Sequence, residues 1–182
     1  MIKYPLGIKS KKKTIVYKNR GMDLETLINK TNQYYLDNDI AVIYKKPTPI
    51  KIIKTNKKEN KITSAVFNYH STTDYNGVCN GKYLDFEAKT TISKTSFPLS
   101  NFKNYQLEHF KKVLIQNGLP FVIFELKNYG EFYLLYYKDL IEYFKNNKRN
   151  SLPVKFIKEK GHRINLMLNP PLDYIKIIDF SI

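Results

Sequence analysis

The chain has 182 residues, of which 42% are hydrophobic and 14% aromatic, enough to bury the core of one globular domain. Lys and Arg total 31 against 16 acids, and the formal net charge of +15 favours nucleic acid as the partner. A single cysteine, Cys79, excludes an intrachain disulfide and a zinc site built on several sulfurs, and it suits a reducing cytoplasm. No apolar run approaches the roughly 20 residues of a transmembrane helix, so no membrane contact is expected.

The first 20 residues contain seven Lys or Arg and no acid, without helical or strand periodicity. This pattern predicts a basic, flexible N-terminal arm over residues 1–20, with Arg20 as a DNA contact, before a single domain over residues 21–182. Only three arginines occur in the chain, so a compositional bias toward Lys is the alternative explanation of the charge. Such a bias would not by itself suppress acids, and a nucleic-acid partner is therefore the preferred interpretation.

Apolar residues at helical spacing predict a first amphipathic helix over residues 22–37, with Glu25 in its first turn beside the apolar stripe. The period then becomes strand-like in IAVIYKK, PIKIIKT and KITSAVFNYH. The second and third of these stretches predict a projecting hairpin over about residues 46–70. Its tip is basic, with five lysines within eleven positions: Lys51, Lys54, Lys57, Lys58 and Lys61. The hairpin either enters a nucleic-acid groove or is a solvated edge protected by lysines, and the sequence leaves both possibilities open.

A second amphipathic helix is predicted over residues 102–117, ended by Gly118, and its apolar face carries one polar residue, Gln106. The apolar run LPFVIFEL is typical of a central strand buried on both faces, and EFYLLYY and KDLIEYFKN predict a further strand and a short helix. The rest of the chain contains a basic loop and short strand-like pieces. This order of elements predicts an α/β domain with a mixed β-sheet flanked by helices.

The segment TTDYNGVCNGKYLDFEAK has the strongest hairpin pattern of the chain, because Asn80-Gly81 suits a type I′ turn. The register that follows pairs polar residues on one face: Asn76 with Asp85, Asp74 with Glu87, and Thr72 with Lys89. The other face becomes a core face, on which Thr73 is expected opposite Ala88. A turn at Asn76-Gly77 is the competing alternative, but it would not separate polar from apolar residues.

Two carboxylates directly opposite, with Cβ atoms about 4.5–5.5 Å apart, repel each other. A shared proton, a lysine or a divalent cation would compensate, and a structural salt-bridge cluster with Lys89 is the alternative to a metal site. Mg²⁺, or Mn²⁺, takes oxygen ligands such as those of Asp74 and Glu87. Lys89 would then lie beside the reacting phosphate and offset its developing charge. This arrangement is what metal-assisted phosphodiester cleavage requires, and Asp85, nearer the turn, is expected to be secondary.

The acidic hairpin and several other stretches resemble a known family. The pattern D(x)12E-A-K after a helix with a Glu resembles the PD-(D/E)XK nuclease superfamily. The ordered stretches NRGMDLE, NQYYL, KKPTPI, STTDYNG, GKYLDFEAK, KTSFPLSNF, QLEH and LDYIK resemble the RecU Holliday junction resolvases over most of the chain from Asn19 onward.

The resemblance implies a restriction-endonuclease-like core and a homodimeric, Mg²⁺-dependent endonuclease that nicks four-way DNA junctions in recombination and repair. The family's metal site corresponds to Thr72, Asp74, Glu87 and Gln106, and its lysine that stabilises the transition state corresponds to Lys89. Glu25 corresponds to the first-helix acid and would join the metal's outer shell. The family's stalk, which enters the junction centre, corresponds to the basic hairpin at about residues 46–70.

Overall fold

The computed structural model describes residues 22–68 and 72–181. In these ranges the α-helices are α1 (Leu24–Asp37), α2 (Asn104–Ile115), α3 (Tyr137–Asn146) and α4 (Val154–Lys160). The strands are β1 (Val42–Lys45), β2 (Ile50–Asn56), β3 (Lys61–Phe67), β4 (Tyr75–Cys79), β5 (Lys82–Thr91), β6 (Ser96–Pro98), β7 (Leu119–Leu126), β8 (Glu131–Tyr136), β9 (Ser151–Pro153) and β10 (His162–Ile164). The expected N-terminal arm, including Arg20, and residues 69 and 70 of the expected hairpin lie outside the described residues.

Six strands form the main sheet, in the order β1-β4-β5-β7-β8-β10. The central pair, β5 and β7, is parallel, and α2 lies between them in the chain; the other neighbouring pairs are antiparallel. The short strands β6 and β9 pair separately, as do β2 and β3. The predicted α/β domain with a mixed sheet is therefore confirmed.

Strand β7 divides the protein into two cores, because its side chains alternate between the faces of the sheet and all eight of its residues are buried. Phe121 and Ile123 pack in the core that contains α1 and the C-terminal segment. Val122 and Phe124 pack in the second core, together with residues of α2, α3 and α4. The expectation of a central strand covered on both faces is confirmed, and α1 and α2 lie on opposite faces.

The β4–β5 hairpin has the predicted register, with Asn76 opposite Asp85. Asn80 and Gly81 have φ angles of 48° and 75°, and positive φ at both central positions is what a type I′ turn requires. The competing turn at Asn76-Gly77 does not form, because both residues lie inside β4. A Cβ atom on Gly77 would lie 2.1 Å from the carbonyl oxygen of Val42, so β1 can approach β4 only at a glycine.

The same hairpin corrects one part of the predicted pairing. The β4–β5 ladder ends at Tyr75 opposite Phe86, so Thr72 and Asp74 are not ladder partners of Lys89 and Glu87. Residues 72–74 instead form a bend, and the hydroxyl of Thr73 contacts Asp85 rather than the core face beside Ala88. The ladder does not continue into the bend, where the side chain of Asp74 accepts from the backbone N–H of Ala88 and the side chain of Thr73 donates to Asp85.

The predicted hairpin is the separate two-stranded sheet of β2 and β3, paired from Ile50–Phe67 to Asn56–Lys61. Nearly every residue in both strands is exposed, so the hairpin projects from the main sheet. The segment after residue 147, expected to contain loops and strand-like pieces, also includes α4, which is too short for an amphipathic period to show. Over the described ranges, we find no helix long and apolar enough to cross a membrane.

Candidate active site

The acids of β5 and the polar residue of α2 meet on one face of the sheet. Asp85, Glu87 and Lys89 alternate with Phe86, which packs in the α1 core, so all three point toward the face that carries α2. From the first turn of α2, Gln106 reaches β5 and donates from Nε2 to Glu87 Oε1 at 2.6 Å. The polar residue on the apolar face of the predicted helix is thereby explained by a buried partner.

Glu87 is the buried centre of this site, with 3% of its surface exposed. Its Oε1 atom accepts from Gln106 and also from Lys89 Nζ, which lies 2.7 Å away. Its Oε2 atom is buried and has no hydrogen-bond partner among the described residues. An unpaired buried carboxylate oxygen is costly, and a bound cation is one of the few groups that would satisfy it.

Burial, the larger cause, and the negative charge of Asp74 together raise the pKa of Glu87 to about 7. The charge and hydrogen bond of Lys89, and the hydrogen bond from Gln106, oppose this shift without cancelling it. Asp74 and Glu87 are therefore close enough to repel each other, and the lysine of the site, Lys89, forms its ion pair with Glu87.

Asp74 lies in the bend before β4 and is half-buried. Its Oδ2 atom accepts from the backbone N–H of Ala88 at 2.9 Å, and its carbonyl oxygen accepts from the backbone N–H of Lys46 at 2.7 Å. These two hydrogen bonds place the Asp74 carboxylate at the edge of β5, next to Glu87. Asp74 and Glu87 are thus brought together as predicted, although by a bend and not by strand pairing.

The donor set suits a hard divalent cation better than zinc. Among the described residues, no group of three or more His, Cys, Asp or Glu side chains converges on one point. Two carboxylates, one with an unpartnered buried oxygen, match the few protein ligands that Mg²⁺ needs beside its waters. The residues present therefore fit such an ion.

Thr72 and Gln106, the other two ligands implied by the resemblance, have protein partners in this structure. The Thr72 hydroxyl accepts from Lys46 Nζ at 3.1 Å. The Gln106 Oε1 atom accepts from the backbone N–H of Lys103 at 3.0 Å, as in a capping box at the start of α2. Both residues border the site, and their role as ligands stays a prediction.

Glu25, on α1, and the hairpin lysines lie on elements other than those that carry Asp74, Glu87 and Gln106. Helix α1 packs on the opposite face of the sheet from Glu87, and the Glu25 carboxylate accepts a hydrogen bond from Lys45. The outer-shell role of Glu25 stays a prediction. The five lysines named for DNA contact are exposed on the β2–β3 hairpin: Lys51, Lys54, Lys57, Lys58 and Lys61.

A neighbouring polar cluster is not apparent from sequence patterns. Asp85 is fully buried, and its carboxylate accepts from Lys46 Nζ at 2.7 Å and from Thr73. His109, on α2, places Nε2 3.0 Å from Asp85 Oδ2, so this histidine has a polar partner rather than a zinc-binding arrangement. Lys46 is separated from its partners by 26 to 39 positions, and its place in the family-like stretch KKPTPI, directly before Pro47, is the sequence feature that points to it.

The chain matches the family model described as RecU, Recombination protein U, over residues 19–180. The chain belongs to the RecU family. It is 46% identical over 173 residues to the Holliday junction resolvase RecU of Bacillus cereus strain B4264, covering 92% of this chain and 86% of that protein. It is also 45% identical over 179 residues to the Holliday junction resolvase RecU of Streptococcus uberis, covering 96% and 89% of the two chains.

The solved structure of Hjc, a Holliday junction resolvase from Archaeoglobus fulgidus, is similar over 50% of this chain and 69% of that chain, with a TM-score of 0.38 and 12% identity. The RecU relatives are similar over nearly the whole chain, and their match includes every residue of the candidate site.

Proposed function

We propose that the protein is a Mg²⁺-dependent endonuclease that cleaves four-way DNA junctions during recombination and repair in the cytoplasm. The observation that carries the proposal is the buried Glu87 Oε2 atom: it has no hydrogen-bond partner within the described part of the chain, although Lys89 and Gln106 donate to the other oxygen. The resolvase names of the RecU relatives supply the junction as the substrate class. Mn²⁺ is the expected substitute for Mg²⁺.

Asp74 and Glu87 would hold the ion, with Thr72 and Gln106 as additional ligands and Glu25 in its outer shell. When bound, a divalent cation polarises a phosphodiester and makes its coordinated water more acidic. The chain's own residues prepare the site for this chemistry. Gln106 and Lys89 keep Glu87 in one orientation, and the N–H of Ala88 keeps Asp74 beside it.

Lys89 has the role of stabilising charge on the phosphate. Its ammonium group lies 2.7 Å from Glu87 Oε1 and 5.7 Å from the ring centroid of Phe102, and its side chain is 16% exposed. A cation held in a partly dry site interacts strongly with the negative charge that develops on a phosphoryl oxygen during hydrolysis.

Cleavage of three DNA substrates tests the proposal. The purified protein with Mg²⁺ should cut a mobile four-way junction and leave a linear duplex and a Y-fork largely intact. Equal cutting of all three would contradict the junction preference and favour a nuclease of the same superfamily with broader substrates. Binding of the junction without cleavage would favour a non-catalytic DNA-binding protein.

Variants in the same assay test the residues. Glu87→Ala should abolish cleavage, because the buried ligand is lost. Lys89→Met should lower the rate at saturating junction by about 10²- to 10³-fold, the usual effect of removing one group that stabilises transition-state charge. The exposed Glu142→Ala is the matched control and should cleave normally. An active Glu87→Ala variant would contradict the metal assignment.

A further inference from the structure

The cluster around Asp85 is adjacent to the candidate active site and separate from its ligand set. Asp85 lies two residues before Glu87 on the same face of β5 and is fully buried. Unlike Glu87, it has partners on both oxygens: Thr73 donates to Oδ1, while Lys46 and Tyr83 donate to Oδ2 at 2.7 and 3.0 Å. A buried carboxylate that accepts hydrogen bonds on both oxygens fixes the positions of the groups that donate to it.

Lys46 connects the Asp85 carboxylate to the bend that carries Asp74. Its ammonium group contacts the hydroxyls of Thr72 and Thr73 as well as Asp85. Its backbone N–H donates to the carbonyl oxygen of Asp74 at 2.7 Å. One half-buried lysine therefore contacts each residue of the bend from Thr72 to Asp74.

The bend depends on these contacts because it lies beyond the strand pairing. The pairing of β4 with both β1 and β5 begins at Tyr75, so residues 72–74 are outside the ladders that hold β4 in place. The position of the Asp74 carboxylate is then set by its bond to the N–H of Ala88 and by the contacts of Lys46 with the bend.

Lys46 also lies at the base of the projecting hairpin, between β1 and β2. Pro47, Thr48 and Pro49 follow it and lead into β2, and the N–H of Asn68 closes the base by donating to the carbonyl oxygen of Pro49 at 3.1 Å. Two prolines with restricted φ leave few free rotations between Lys46 and the hairpin. The hairpin and the Asp74 bend thus share Lys46 as an attachment point.

We propose that Lys46 is a positioning residue that holds the Thr72–Asp74 bend against Asp85 and thereby places the Asp74 carboxylate for metal binding beside Glu87. The inference rests on the proposed function, because it assigns a purpose to an arrangement around the metal site. In this role Lys46 acts through the bend, and no direct contact with the DNA phosphate or the metal is assigned to it.

Substitution of Lys46 by methionine tests the proposal, because methionine keeps most of the apolar stem and removes the ammonium group. K46M should raise the dissociation constant for Mn²⁺, measured by calorimetry without DNA, by about 10- to 100-fold, the usual effect of losing a residue that orients metal ligands. At saturating junction its kcat should fall by a similar factor. Junction affinity, measured in Ca²⁺, should stay within about two-fold, since the hairpin lysines are intact. Lys155→Met, at an exposed lysine on α4, is the matched control and should match the wild type in every measurement.

The double variant K46M/D85N separates positioning from charge balance. If Lys46 only neutralised the buried Asp85, removing both charges would restore Mn²⁺ affinity and kcat, and that result would overturn the proposal. The expected result is that the double variant stays impaired, because the contacts to Thr72 and Thr73 are still missing. If K46M does not fold, Thr73→Val removes the hydroxyl that contacts Lys46 and Asp85 with little change of side-chain volume. This variant should also bind Mn²⁺ more weakly than the wild type. A Thr73→Val variant with wild-type Mn²⁺ affinity would contradict the proposal.

The same titrations distinguish failure of this inference from failure of the proposed function. Asp74→Asn should weaken Mn²⁺ binding in any protein that uses the proposed metal site. Wild-type protein that binds no Mn²⁺, or an Asp74→Asn variant with unchanged affinity, would contradict the proposed function and the inference that rests on it. Loss of binding in Asp74→Asn together with unchanged binding and kcat in K46M would overturn the role of Lys46 alone.

Discussion

Glu87 and Asp85 show how two acids, two residues apart on one strand, acquire different roles from their neighbours. Asp85 accepts hydrogen bonds on both oxygens and is neutralised by Lys46. One oxygen of Glu87 has no hydrogen-bond partner in residues 22–68 and 72–181, and burial, with the charge of Asp74, raises the pKa of Glu87 to about 7. The charge of the ionised Glu87 is therefore costly in the metal-free protein, and a cation would relieve that cost.

The raised pKa of Glu87 predicts a specific dependence of stability on pH. Folded Glu87 holds its proton up to about pH 7, whereas the unfolded chain releases it near pH 4.5, so this group lowers the free energy of unfolding as pH rises between those values. Glu87→Gln, which does not titrate, should therefore become more stable relative to wild type on going from pH 5 to pH 8. Urea unfolding with EDTA at both pH values measures the difference, with Glu142→Gln as the surface control. A Glu87→Gln difference that is constant or reversed would show that the carboxyl is not destabilised by burial.

The β2–β3 hairpin pairs only within itself among the described strands and is mostly exposed. Both its strands are exposed along nearly their whole length, and its turn contains Lys57 and Lys58. A two-stranded ribbon is marginally stable by itself, so a partner that covers this element would add order to it. Its exposure suits a structure that inserts into a cavity in DNA, which is the stalk role that we propose.

Neutralising the hairpin tip tests that role. Lys57→Gln with Lys58→Gln should weaken binding to a four-way junction more than binding to a linear duplex, because only the junction has a central opening for the tip. If both lysines contact phosphates, the slope of log affinity against log salt should become shallower by about two. The control is Lys155→Gln with Lys160→Gln, which changes the same charge on α4. Equal loss on junction and duplex would reduce the tip to a nonspecific basic patch.

At the scale of the whole molecule, the charge distribution and the proposed substrate fit together. The net charge of +15 favours a polyanion such as DNA, while Asp74 and Glu87, the acids that would bind the metal, lie together near α2. A four-way junction has two-fold symmetry, so two identical subunits would place one such site at each of two opposed strands. We therefore propose a homodimer as the active form.

A dimeric active form predicts a sedimentation mass and a nicking pattern that a monomer would not give. Sedimentation should give about twice the 21.5-kDa mass of the chain at concentrations where junctions are cut. Mixed dimers of wild-type and Glu87→Ala subunits should nick one strand of a junction and leave the opposed strand intact. A protein that resolves junctions while sedimenting as a monomer would contradict the two-fold arrangement.

The sequence by itself determined the features that depend on local patterns. The Asn80-Gly81 turn set the register of β4 and β5, the continuous apolar run identified β7 as the central strand, and Gln106 was conspicuous on the apolar face of its helix. The family resemblance, carried by motifs around Asp74 and Glu87, likewise depended on short stretches. Local backbone preferences and periodicity need only neighbouring residues, so these features could be predicted.

Only the tertiary structure decided how the site is held. The bend that removes Asp74 from β4, the engagement of Asp85 by Lys46 and the unpaired oxygen of Glu87 all depend on side chains from separate elements. Lys46 and Asp85 are 39 positions apart, and no local pattern indicates that their side chains will meet. Hydrogen bonds between distant elements form only after packing has set the positions of those elements, which is why the sequence did not show how differently Asp85 and Glu87 are held in the folded protein.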